Sequence, residues 1–227
     1  MSLIFVPGFT QTARSWAPVL DRLAPGTDLV ALDVPSTLGF AETAAALGGT
    51  GGPGDYVGYS MGGRLCLRLA LDRPDLVGRL VLLSATPGID APAERAARLD
   101  ADERLASSIE HEGADAFLRR WVAQPMFASL PAAAAGLAER RRGHTVGTLT
   151  HALRRLGQGA QEPLWDRLAE LEIPVTVVAG ELDHKYVAIG RRMAHAIGPR
   201  ARLAVIDGAG HAAHLERPDE FVHVLTS

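Results

Sequence analysis

One stretch restricts this chain more than any other: Asp55-Tyr56-Val57-Gly58-Tyr59, running into Ser60-Met61-Gly62-Gly63. An apolar run of strand length ends in a small-residue turn. Arg64 to Leu71 then takes up helical spacing, with Leu65, Cys66 and Leu69 on one face and Pro74 beyond. A strand that feeds straight into a helix is the unit of a parallel sheet, whose neighbouring strands need a crossover. The rhythm recurs along the chain. Leu3 to Val6 reads as a buried strand stopped by Pro7-Gly8, and Leu29 to Asp33 as a second stopped by Val34-Pro35. Asp55 to Tyr59 is the third, Leu80 to Ser84 the fourth, Val175 to Gly180 the fifth and Arg202 to Ile206 the sixth. Ala188 to Ile197 and Pro218 to Leu225 read as helices. The expected fold is α/β, a mostly parallel sheet flanked by helices.

Between Pro87 and about Pro163 the strand rhythm disappears. That stretch is helical in period, rich in alanine and arginine, and broken at Pro125, Pro131 and Gly143. An all-helical insertion after the strand ending near Ser84 predicts a cap over the carboxyl edge of the sheet, where open α/β sheets bind ligands. The expected division is residues 1–86 and 164–227 as core and 87–163 as helical cap, in one structural unit.

Composition removes several function classes. With 227 residues, 47% of them apolar, the chain can bury one sizeable core. A net charge of −3 gives no field to draw nucleic acid or an anionic membrane. No apolar run approaches the ~18 residues of a membrane span. The opening MSLIFVPGF lacks the basic region of a signal peptide, so a cytoplasmic chain without membrane insertion is expected. The single cysteine, Cys66, excludes an internal disulfide framework and multi-cysteine metal sites.

Gly58-Tyr59-Ser60-Met61-Gly62 is a G-x-S-x-G between strand and helix, the composition a nucleophile elbow needs. The serine sits in a strained turn, and only small residues two positions away let the helix pack close. The helix N-terminus also brings the Met61 N–H to where an oxyanion would be held. The second donor is expected from the loop after the first strand, where Gly8 allows a sharp turn and the Phe9 N–H faces the serine. A serine nucleophile needs a base and an orienting acid in the order Ser, Asp, His. Asp183 follows the fifth strand in AGELD and His211 follows the sixth in DGAGHAAH, both on the edge that carries Ser60. His214 and Asp207 are competing candidates. His214 begins the next element, however, and Asp207 lies close enough to the histidine to shape its turn. His111, His144, His151, His195 and His223 fall in helical or cap stretches and read as surface or packing residues. Gly49-Thr50-Gly51-Gly52-Pro53-Gly54 satisfies G-x-G-x-x-G, but it follows a helix and precedes a strand, the reverse of a dinucleotide fingerprint. It reads as a flexible connection. No cluster has metal-ligand spacing, and no cofactor is implied.

With these residues in place, the chain resembles the α/β-hydrolase superfamily over essentially its whole length. Within it, the chain resembles the 2-succinyl-6-hydroxy-2,4-cyclohexadiene-1-carboxylate synthases of menaquinone biosynthesis (MenH-type). The segments that carry the likeness are GYSMGGRL (58–65), SATPG (84–88), ERAARLDADERLA (94–106) and FLRRWVAQPMFASL (117–130). It continues through LRRLGQGAQEPLWDRL (153–168), GELDHKY (180–186) and GAGHAAHLERP (208–218). Agreement through the cap discriminates, because hydrolase caps diverge freely.

The resemblance implies a lyase that eliminates pyruvate from an enolpyruvyl-succinyl-cyclohexene polycarboxylate. Ser60, His211 and Asp183 would then act as a base, without an acyl-enzyme. It also implies cations for the substrate carboxylates at Arg64, Arg98 and Arg142, with Tyr59 and Trp121 lining the pocket. Arginine suits this task because its guanidinium clamps carboxylates bidentately. Arg95, Arg140 and Arg141 offer neighbours for the cap positions, and Lys185 is a further candidate contact. The chain departs from the family pattern in two places. Pro7-Gly8 stands where His-Gly is usual, and Asp33-Val34-Pro35 runs on without the D-x-x-G-H-G turn, so one pocket wall is reshaped. The competing reading is a carboxylesterase or other serine hydrolase working through an acyl-serine. A non-catalytic ligand-binding relative is the reading from another class, and the filled triad positions count against it.

Overall fold

The apolar runs pair into one six-stranded sheet with every neighbour parallel, in the order β2-β1-β3-β4-β5-β6. The computed structural model describes residues 2–227; Met1, the first residue of the expected core, lies outside the described residues. The strands are β1 (Ser2–Val6), β2 (Leu29–Ala31), β3 (Gly54–Tyr59), β4 (Val77–Leu83), β5 (Val175–Gly180) and β6 (Ala201–Ile206). The helices in chain order are α1 (Ala17–Leu20), α2 (Phe40–Gly51), α3 (Met61–Asp72), α4 (Pro92–Glu112) and α5 (Ala114–Val122). They continue with α6 (Leu137–Gly143), α7 (Val146–Leu156), α8 (His184–Ile197), α9 (Ala213–Glu216) and α10 (Pro218–Thr226).

Alternate residues of each strand enter opposite cores, which is why the strands read as unbroken apolar runs. Ile4, Tyr56, Leu80, Leu82 and Val177 pack on one face against α2, α3 and α8 through Leu47, Leu65, Leu69 and Met193. Phe5, Val57, Val81 and Val178 pack on the other against Trp16, Phe221 and Leu225. α4 to α7 lie between β4 and β5 and hold a small core of their own, formed by Ala106, Ile109, Phe117, Leu118, Leu149 and Leu153.

Several element ends differ from the sequence expectation; α8, for one, starts at His184, four residues before the expected Ala188, because Asp183 caps it. β2 stops at Ala31 instead of Asp33, because the Asp33 carboxylate turns away to accept the Ala13 N–H at 2.7 Å. β4 starts three residues early, at Val77, which is paired with Gly54 of β3. The glycine-rich 49–54 segment is not wholly a loose connection, since α2 continues through Gly51 and ends at Gly52, whose φ is 69°. Glycine is needed at that end because a Cβ on Gly51 would stand 2.7 Å from the Tyr56 hydroxyl.

Candidate active site

The site grows from the β3–α3 junction. Ser60 has φ 50° and ψ −107°, a conformation that costs a residue with a side chain ~1–3 kcal/mol. The turn is that tight because β3 passes straight into α3. A Cβ at Gly58 would lie 2.5 Å from Gly63 Cα, and one at Gly62 would overlap the Val6 carbonyl. The two glycines flanking the serine are therefore what lets the junction close. The Ser60 N–H donates to Leu83 O at 2.8 Å, which locks the turn against β4. Met61 opens α3, and Gly8-Phe9-Thr10-Gln11 closes a turn beside it with the Gln11 N–H on Gly8 O at 3.1 Å.

His211 Nε2 lies 3.3 Å from Ser60 Oγ, and its Nδ1 lies 2.6 Å from Asp183 Oδ2. Asp183 caps α8, with Oδ1 accepting the Tyr186 N–H at 3.4 Å, so its second oxygen is left for the imidazole. Aromatic rings hold the histidine edge and face. Ring centroids of Tyr59, Tyr186 and Phe127 stand 5.5, 4.8 and 6.0 Å from it. Burial pushes the Tyr59 and Tyr186 phenols above their ordinary range, and the Tyr186 hydroxyl accepts from Gln158 Nε2 at 3.2 Å. Of the competing candidates, His214 is fully buried between Trp16 and Tyr59 at 4.6 and 4.4 Å, with neither ring nitrogen hydrogen-bonded among the described residues.

A cavity of about 630 Å³ opens over Ser60, between the sheet edge and α4, α5 and α7. Phe9, Met61, Tyr59, Arg64, Arg98 and Trp121 line it, and so do Lys185 and Tyr186. Arg64 is only 5% exposed. Its guanidinium donates to Gln161 Oε1 at 2.8 Å and Leu156 O at 2.6 Å, and no carboxylate reaches it among the described residues. Burial pulls its pKa down to about 10. Arg98 donates through Nε to the buried Asp102 at 2.8 Å and keeps the rest of its fork at the cavity wall. Trp121 packs edge-on to Phe9 at 5.0 Å while facing the same space.

Arg142 is not brought to the cavity. Its side chain is 69% exposed and pairs with Glu139 at 2.7 Å. The cause is helical phase: each residue turns ~100°, so Arg140 and Arg142 point to nearly opposite sides. Arg140 takes the inward direction at 3% exposure, donating to Thr10 Oγ1 and to Ala135 O at 2.8 Å. Sequence reasoning missed Gln161 as the Arg64 partner and left Arg140 as a mere neighbour; neither has a local signal. The segment after Asp33 borders a second cavity of about 220 Å³, which shares Phe9, Met61, Ala152 and Leu156 with the first. Among the described residues no three His, Cys, Asp or Glu side chains gather to hold a metal ion. No helix among them is long and apolar enough to cross a membrane.

A parallel sheet carrying a strained serine at a strand–helix turn, with acid and base beyond later strands, marks the chain as an α/β hydrolase-fold enzyme. It belongs to the alpha/beta hydrolase family, whose model matches residues 3–224. More narrowly, it is 33% identical to the putative 2-succinyl-6-hydroxy-2,4-cyclohexadiene-1-carboxylate synthase of Bacillus subtilis, over 99% of this chain and 89% of that protein. The synthase of Salmonella newport is 32% identical over 99% of this chain and 92% of its own length. The solved structure of MenH from S. aureus superposes with a TM-score of 0.92 at 27% identity, covering 100% of this chain and 92% of that one. The chain is a member of this synthase group.

Proposed function

We propose that the chain is a carbon–oxygen lyase that converts 2-succinyl-5-enolpyruvyl-6-hydroxy-3-cyclohexene-1-carboxylate to 2-succinyl-6-hydroxy-2,4-cyclohexadiene-1-carboxylate and pyruvate, in the cytoplasm, as a step of menaquinone biosynthesis. The observation that carries the reading is Arg64. It is a buried cation at the wall of the Ser60 cavity whose protein partners are both neutral oxygens. An unpaired buried charge is costly, and a polycarboxylate substrate supplies the missing anion. Arg98, paired with Asp102, and Lys185 line the same cavity.

On this reading the C2–H bond breaks first. Ser60 Oγ accepts that proton as its own passes to His211 Nε2, and Asp183 stabilises the imidazolium through Nδ1. The C2 electron pair forms C2=C3, C3=C4 moves to C4=C5, and the C5–O bond breaks to release enolpyruvate. His211 returns a proton to the leaving group, which ends as pyruvate. Tyr59 and Trp121 would bound the ring, and the Phe9 and Met61 N–H groups would face developing negative charge beside the serine. No acyl-serine forms.

Pyruvate release from this substrate, compared between the native protein and Ser60→Ala, tests the proposal. Rapid release that Ser60→Ala lowers by about 10³-fold or more supports it. No release, with a burst of nitrophenol from p-nitrophenyl esters, would make the chain a serine esterase working through an acyl-enzyme.

A further inference from the structure

One buried carboxylate near the triad has no part in the elimination itself. Glu216 ends α9, five residues after His211, and is 7% exposed. Its Oε2 accepts the Gly210 N–H at 2.7 Å and its Oε1 accepts the Ala212 N–H at 3.0 Å. The two oxygens therefore bracket His211 along the backbone. No Arg, Lys or His side chain pairs with Glu216 among the described residues, so these two amides are what compensate its burial. A third tie comes from the other side. Ser84 Oγ donates to the His211 carbonyl at 2.9 Å, from a residue held at φ 47° at the end of β4.

The loop these ties hold has little other side-chain substance. Gly208 sits at φ 64°, and a Cβ at Gly180 would overlap the Gly210 and Ala209 carbonyls, so the loop lies directly on the end of β5. The base has little slack. At 3.3 Å, His211 Nε2 is already at the long end of hydrogen-bond reach to Ser60 Oγ, while Nδ1 is held at 2.6 Å by Asp183. A shift of a few tenths of an ångström in the His211 peptide breaks the first contact.

We propose that Glu216, with Ser84 as its counterpart, is a positioning residue for the base. It fixes the Ala209–Gly210 and His211–Ala212 peptide units, before and after the histidine, so that the imidazole spans Ser60 and Asp183. Glu216 touches neither substrate nor imidazole, and it acts only through the backbone. The proposal rests on the reading above only in taking His211 as the base, and it holds equally for elimination or acyl transfer.

Glu216→Gln tests it with little change of shape. The amide offers one acceptor oxygen and turns its NH₂ toward the second backbone N–H, where no bond can form. Labelling by a fluorophosphonate reports the base without any pathway substrate: Ser60 Oγ bonds to phosphorus, fluoride leaves and His211 takes the hydroxyl proton. We expect Glu216→Gln to slow labelling about 10- to 100-fold and to displace the low-field proton resonance of the Nδ1–H on Asp183. KM for the elimination should stay within about twofold as kcat falls. Ser84→Gly removes only the carbonyl tie and relieves the left-handed backbone, so it keeps the test open if Glu216→Gln unfolds. It should slow labelling about threefold or more without lowering the unfolding midpoint. Native labelling rates in a folded Glu216→Gln, or in Ser84→Gly, overturn the proposal. His211→Ala is the control: loss of labelling there supports the base assignment, and native labelling overturns both readings together. Absence of pyruvate release from the native protein would bear on the substrate and leave these labelling arms intact.

Discussion

Replacing Arg64 with methionine separates elimination from ester hydrolysis, because only the polycarboxylate substrate calls on the buried cation. The guanidinium has five N–H groups. Protein oxygens take one each from its two terminal nitrogens, Gln161 Oε1 at 2.8 Å and Leu156 O at 2.6 Å. Donors therefore remain for a ligand in the cavity that Arg64 lines. A charge-assisted hydrogen bond contributes ~1.5–3 kcal/mol, so losing one to the substrate costs about that much. At ~1.4 kcal/mol per decade that is about a 10- to 140-fold fall in kcat/KM for pyruvate release. Stability should change far less. Methionine removes a desolvated charge, the same burial that pulls the Arg64 pKa down to about 10, but it leaves the Gln161 and Leu156 oxygens without donors. These effects oppose each other at ~1–3 kcal/mol apiece, so the unfolding midpoint should stay within about 5 °C. The assay is pyruvate release coupled to NADH oxidation, with p-nitrophenyl acetate hydrolysis run in parallel. Release within about threefold of native, or an equal fall on both substrates, would refute the reasoning.

The three adjacent arginines of α6 divide by phase. Arg140→Ala strips the donor from Thr10 Oγ1 and Ala135 O in a buried site, and should lower unfolding free energy in urea by ~2–4 kcal/mol. Arg142→Ala removes an exposed pair with Glu139 and should change stability by less than ~0.5 kcal/mol; equal losses from the two would sink the phase argument. Burial, aided by Arg140 and then His211, holds the His214 pKa well below its ordinary value. Below pH ~6.5 the unfolded chain therefore takes up a proton that the folded chain refuses. Stability is then full above ~6.5 and is lost as pH falls, by at most ~1.4 kcal/mol per pH unit from this group. His144, also depressed by burial, acts with the same sign. His214→Phe keeps a ring between Trp16 and Tyr59 and should flatten that loss in urea titrations between about pH 5 and 7. An unchanged slope would show that His214 is not its source.

How much of this was legible depends on whether the information is local. The strands were readable because burial on both faces makes each an apolar run, and the elbow because a strained serine forces glycine on either side of it. Edge behaviour was not: β2 ends two residues before the expected Asp33 because that carboxylate binds the Ala13 N–H, which no period encodes. The supporting residues were illegible for the same reason. Arg64 meets Gln161 across 97 residues of sequence and Arg140 meets Thr10 across 130, and in each case the partner is an oxygen brought there by the fold. In the run Arg140-Arg141-Arg142 the side chains are identical, so only the phase of a seven-residue helix decides which is buried. Glu216 lies within sight of His211 in sequence, but its role depends on α9 folding back so that two amides converge on one carboxylate.

The departures at the first-strand loop and after Asp33 bear on the chemistry in one direction. Phe9 and Met61 line both the 630 Å³ and the 220 Å³ cavities, and Asp33 to Ser36 bound the smaller one beside them. An acyl-transfer enzyme depends on the oxyanion side of the serine, because its tetrahedral intermediate places a full charge there. An elimination forms no tetrahedral carbon. Its charge develops along the ring and its carboxylates, in the cavity that Arg64, Arg98 and Lys185 line. On the proposed chemistry, the greatest demand falls on buried Arg64, whose protein partners are both neutral oxygens, while Ser60, His211 and Asp183 keep the contacts described above.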